Sequence, residues 1–172
     1  MSSSTTTTTT TRKELLRTRA SSFCSAFLSN TPPSTILSTH FTPTPKITEH
    51  GPSHPSLPFL GTTFSGLLSS PSSTKGLTCD DYFSLLSQTL TYDPASMKFP
   101  PEEEFMVDEE AVVDGKKGVV SVVAKGVFRS RKTGRSWKET FIYRLSGFDE
   151  EGRIGWWEIW ADTLSAWEAV NG

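Results

Sequence analysis

The chain is predicted to be an α+β fold, with N-terminal helices packed on a strongly bent antiparallel sheet that forms a cone-shaped pocket. Three observations predict it. Apolar residues recur at helical spacing early in the chain, the pattern changes to period two after Phe99, and the segments between the later strands are short turns.

Residues 1–11 are a Ser/Thr tract with no apolar surface to offset the entropy of ordering it, so they are expected to be a disordered tail. The domain then runs from residue 12 to 172. Leu16, Ala20, Phe23, Cys24, Phe27 and Leu28 make one apolar stripe of a first helix. Thr31-Pro32-Pro33-Ser34 breaks it, and Ile36, Leu37, His40 and Phe41 form a short second helix. Residues 46–50 alternate as a short strand, and 51–76 form a long Pro, Gly and Ser-rich loop. A third helix opens at Thr78, capped with Asp81, carries Tyr82, Phe83, Leu86 and Leu90 on one side, and ends before Pro94. Four strands follow at 104–113, 119–129, 136–147 and 154–162, joined by short turns into an antiparallel meander. Glu102, Glu103 and Glu104 read as a solvated strand entry. Residues 119–124 are apolar on both faces, which predicts a central strand covered on each side.

Composition excludes several classes. A net charge of −2 with no basic stripe argues against nucleic acid, and no apolar run reaches the roughly 18–20 residues of a membrane span. Cys24 and Cys79 lie in helix-like stretches and are expected reduced and buried. The N-terminal tract lacks the apolar core of a secretory signal, which implies a cytoplasmic protein. Arg12, Lys13, Arg17 and Arg19 among hydroxyl residues give a mitochondrial transit peptide as the minor alternative. Three scattered histidines without paired cysteines supply no metal site, and there is no phosphate loop or nucleophile elbow.

The order of elements, with Glu49-His50-Gly51-Pro52, Leu57-Pro58-Phe59-Leu60-Gly61, Phe64-Ser65-Gly66, Thr133-Gly134-Arg135-Ser136-Trp137 and Gly152-Arg153-Ile154 leading into Trp157-Glu158-Ile159-Trp160-Ala161-Asp162, resembles the SnoaL-like polyketide cyclase branch of the nuclear transport factor 2-like superfamily. The resemblance implies a cystatin-like cone and a pocket without metal or organic cofactor. It also implies an acid on the last strand that moves a proton. Glu158 is the positional match. One extra residue between Glu158 and Asp162 keeps Asp162 as a rival.

Alternation puts Trp156, Glu158, Trp160 and Asp162 on one face of the last strand. Two turn registers are open. With a four-residue loop, Glu139, Phe141 and Tyr143 share the face of Glu158 inside an apolar cavity. With a three-residue loop and a bulge at Gly152, Asp149 pairs with Arg153 and Arg144 falls opposite Glu158 as an ion pair. The candidate catalytic residues are Glu158, Asp162 and His50, the last at the cavity mouth; Tyr143, Phe141, Trp137, Trp156, Trp160 and Phe64 are the candidate substrate-binding residues. The predicted activity is a cofactor-independent lyase, isomerase or cyclase acting on a hydrophobic, polyketide-like carbonyl compound. The alternative is a non-catalytic module of the same fold that binds a small molecule or protein. Trp157 and Ile159 on the second face would pack against another copy of the chain as a homodimer.

Overall fold

A computed structural model describes residues 10–67 and 77–172. The tail expected over 1–11 lies outside these up to residue 9, as does the 68–76 part of the long loop. Thr11 caps the first helix. Its hydroxyl accepts from the Glu14 N–H at 3.2 Å while the Glu14 carboxylate accepts from the Thr11 N–H at 2.8 Å. This reciprocal box satisfies donors that an opening helix would leave orphaned. Helix α1 (Arg12–Leu28) buries Leu16, Ala20, Phe23, Cys24 and Phe27, whereas Leu28, assigned to the same stripe, is exposed.

Helix α2 (Pro33–His40) takes proline in its first turn, where the missing N–H costs nothing. Phe41 starts strand β1 (Phe41–His50) rather than ending the helix. The strand is longer than the 46–50 expected because Pro43 and Pro45 fall where pairing with the last strand is interrupted, between Phe41 and Lys46. A short β2 (Thr63–Ser65) pairs with β1. Helix α3 (Cys79–Thr89) opens with the predicted Thr78–Asp81 box. Leu90, placed on that helix by periodicity, begins β3 (Leu90–Tyr92) instead.

Strands β4 (Met106–Val113), β5 (Lys116–Ser130), β6 (Ser136–Ser146) and β7 (Ile154–Trp160) form the meander. The sheet order is β2-β1-β7-β6-β5-β3, with β4 also on β5. The sheet is strongly curved, is not closed, and is mixed rather than antiparallel throughout, because β1 lies parallel to β7. No hairpin joins those two strands, so no turn dictates their direction.

The concave face is closed by helices and the convex face is not. Val120, Val122 and Ala124 of β5 are buried, but Val123 is 43% exposed, which corrects the expectation of cover on both sides. Strand β7 stops at Trp160, short of the expected 162, and a fourth helix not among the expected elements, α4 (Thr163–Asn171), follows with Asp162 as its N-cap. Cys24 and Cys79 are free and buried. No helix among the described residues is long and apolar enough to cross a membrane.

Candidate functional site

The β6–β7 turn decides which side chains face the cone. The Asp149 N–H donates to the Arg153 carbonyl at 3.1 Å, and the Asp149 carboxylate accepts from the Arg153 N–H at 2.8 Å and its Nε at 2.7 Å. Gly152 has φ +77°, a left-handed conformation that glycine adopts without steric cost. The loop therefore has three residues, and it sets Arg144 opposite Glu158, Tyr143 opposite Ile159 and Leu145 opposite Trp157. Odd-numbered residues of β6 and β7 point inward. The parallel register of Glu49 with Ile159 brings Glu49 to the same interior.

These strands, with α1, α3 and α4, enclose a narrow cavity of about 50 Å³ whose wall includes Phe27, Tyr82, Trp137, Phe141, Tyr143 and Trp157. Glu49 and Glu139 interrupt this apolar surface, with Asp162 at the rim. Glu49 is 8% exposed and accepts from the Tyr82 hydroxyl at 2.7 Å. Burial pushes its carboxyl up to about 7; the Tyr82 bond opposes the rise and the nearby Glu139 charge adds to it. Burial likewise pushes Glu139 up to about 7, against the Trp137 indole N–H, which donates to it at 2.9 Å, and the Asp162 backbone N–H. Burial raises the Tyr82 and Tyr143 phenols well above their ordinary range, so both remain protonated near neutrality. The buried Trp157 Nε1 lacks a partner among the described residues, a cost unless a bound group accepts from it.

Of the predicted site residues, Tyr143, Phe141 and Trp137 line the cavity. Phe64 is fully buried against the Tyr82 ring at 5.4 Å between centroids, behind the wall rather than in it. The inward placement of Glu158, Trp156 and Trp160 is corrected: all three face the convex side, because the loop is one residue shorter than that placement needs. Glu158 is 6% exposed and is held by Arg144 and by His50 Nε2, the latter at 3.2 Å. His50 stacks on Trp160 at 4.1 Å, so it too sits on the convex face rather than at the cavity mouth. Trp156 donates to Thr48 at 3.1 Å and lies under Lys46. Trp157 and Ile159, assigned to a dimer face, are in the cavity wall.

Asp162 reaches the cavity rim, but its carboxylate caps α4, accepting from the Ser165 N–H at 3.0 Å and hydroxyl at 2.6 Å. Those bonds hold it below the usual carboxylate range. Its negative charge adds to the rise of the Glu139 carboxyl. Glu139 was readable as a companion of Phe141 and Tyr143 at period two. Glu49 carried a fainter signal, an acid two residues after the core-facing Ile47.

No protein-family model matches the chain, and no curated protein does. Solved structures do. A protein of unknown function from Burkholderia pseudomallei with a nuclear transport factor 2-like fold aligns with 16% identity over 92% of this chain and 98% of its own, at a TM-score of 0.62. A candidate isomerase from Bacillus subtilis aligns with 14% identity over 92% and 94%, at 0.61. TerC, crystallised with polyporic acid, aligns with 14% identity over 92% and 99%, at 0.58. At these identities the likeness shows the fold, which is nuclear transport factor 2-like.

Proposed function

We propose that the protein catalyses proton transfer on a hydrophobic carbonyl compound, as a cofactor-independent isomerase, lyase or cyclase, with Glu139 as general base. The observation that carries this is a pair of carboxyls, Glu49 and Glu139, both pushed up to about 7 by burial in one apolar cavity. Acids so placed exchange protons readily near neutral pH. Two like charges in one dry site also disfavour simultaneous ionisation.

The roles follow from the hydrogen bonds. Glu139 accepts from the Trp137 indole N–H and is only half-buried, and so serves as the carboxylate. Glu49 is more deeply buried and serves as its protonated partner. Glu139 removes a proton from the carbon next to the carbonyl. The enolate oxygen then takes hydrogen bonds from the Tyr143 hydroxyl, which belongs to the cavity wall, or from Trp157 Nε1, which has no partner among the described residues. Return of the proton from Glu139 or Glu49 to another carbon gives the isomer and restores the charge balance. The solved neighbours, which include a candidate isomerase and TerC with polyporic acid, support a small-molecule reaction in this fold.

The non-catalytic reading is favoured by one observation: Glu158, the acid of the last strand, is consumed in an ion pair with Arg144. Exchange of the α-protons of β-tetralone with D2O, followed by NMR, separates the two. The wild type should accelerate exchange over buffer, and Glu139→Gln should lose roughly 10²–10⁴-fold while keeping the fold. Equal rates for wild type and Glu139→Gln would remove Glu139 from the mechanism.

Association as a homodimer is proposed through the convex face. Val123, Ile142 and Trp160 are consecutive cross-strand neighbours there, 43%, 39% and 39% exposed. Grouped exposed apolar residues of this kind mark interaction surfaces.

A further inference from the structure

The cavity is too small for the class of substrate its walls suit. At about 50 Å³ it holds a few atoms, since one water needs roughly 10–15 Å³ and drug-sized ligands occupy roughly 300–1,000 Å³. A second concavity lies beside it. This groove, about 260 Å³, runs between the α1–α2 corner and the C-terminal half of α3 and includes Ile36, Phe83 and Arg131. Phe27, Leu86, Leu90 and Tyr92 belong to both walls. Four side chains therefore divide the two spaces. Leu86 and Tyr92 are only half-buried, so rotamer changes at these positions would join them.

Arg131, which lines the groove but not the cavity, makes the groove cationic away from the shared wall. The Arg131 backbone N–H donates to the Thr89 carbonyl at 3.0 Å, and the side-chain Nε donates to the Ser87 carbonyl, which holds the guanidinium against the end of α3. No carboxylate among the described residues pairs with it. Its other N–H groups form a fork that suits a carboxylate.

Resting on the cavity as the reacting centre, we infer that the substrate is an elongated apolar carbonyl compound with a carboxylate at its far end. The reacting end occupies the cavity, the middle passes between Phe27, Leu86, Leu90 and Tyr92, and the carboxylate pairs with Arg131. The cavity selects the carbonyl and the groove selects length and charge.

The test is binding, followed by tryptophan fluorescence, of ω-phenylalkanoates from phenylpropanoate to phenyloctanoate, with the matching ω-phenyl alcohols as uncharged controls. Affinity of the acids should climb with chain length to a maximum. Arg131→Gln should weaken the best acid about tenfold and leave its alcohol unchanged, the loss expected of one partly solvated charge-assisted pair. Arg131→Lys, which retains charge without the fork, should lose less. Leu86→Trp, which fills the passage, should weaken the long acids and spare the shortest. Affinity independent of length, or equal effects of Arg131→Gln on acid and alcohol, would overturn the inference, as would failure of the whole series to bind. Failure of the proton-transfer reading is distinguishable, because Glu139→Gln would then leave β-tetralone exchange unchanged while these binding preferences persisted.

Discussion

Replacing Glu49 by glutamine should make the protein more stable at alkaline pH and leave it little changed in acid. In the folded state burial holds this carboxyl up to about 7, against an ordinary value of 4.5. Below pH 4.5 the group is protonated in both folded and unfolded chains and has no effect on stability. Between there and about 7 the unfolded chain releases the proton and the folded one retains it, so stability falls as pH rises. The gap, at roughly 1.4 kcal/mol per pH unit, amounts to about 3 kcal/mol once pH exceeds 7. Glutamine keeps the shape and can still accept from Tyr82 but carries no proton to lose. Urea unfolding of wild type and Glu49→Gln at several pH values between 4.5 and 8.5 measures the difference directly. The two stabilities should lie close at the acid end and diverge by about 3 kcal/mol, variant above wild type, at the alkaline end. Parallel curves across that range would show that Glu49 ionises as freely in the folded protein as in the unfolded chain, and would remove the desolvated acid on which the proposed chemistry depends.

Arg144→Gln and Glu158→Gln should each destabilise the protein, with a coupling of about 1–3 kcal/mol in the double mutant and no change in phenylalkanoate binding; additive effects would deny the ion pair. Light scattering should report a dimer at micromolar concentration that Trp160→Ser converts to monomer, and a monomeric wild type would refute association through the convex face.

The face that carries Glu158 has a structural chemistry of its own. Arg144 and His50 reach the same carboxylate from β6 and β1, the strands on either side of β7. Such a contact ties three strands together where no helix covers them. Pairing an acid that is nearly buried prevents the large penalty of an uncompensated charge. An inward Glu158 would instead have been the desolvated acid, the position that Glu49 and Glu139 hold.

Local chemistry determined much of the molecule. The stripe through Leu16, Ala20, Phe23 and Phe27, the Thr78–Asp81 cap and the period-two segments each depend on neighbours a few residues away, and each forms where its spacing places it. Their order was enough to indicate a nuclear transport factor 2-like α+β fold, and the alternation of β6 was enough to group Phe141 and Tyr143 with Glu139. What spacing could not decide was which side of β7 meets them. Side chains alternate along a strand, so one residue in the loop between Asp149 and Arg153 exchanges the inward set for the outward set. Gly152 and the Asp149–Arg153 bonds favour the shorter loop, and packing of Trp157 among Phe23, Phe27, Tyr82 and Tyr143 confirms it. Glu49 depended on tertiary structure still more. It meets Glu139 only because β1 crosses to lie parallel to β7, a pairing between segments more than a hundred residues apart that no turn specifies.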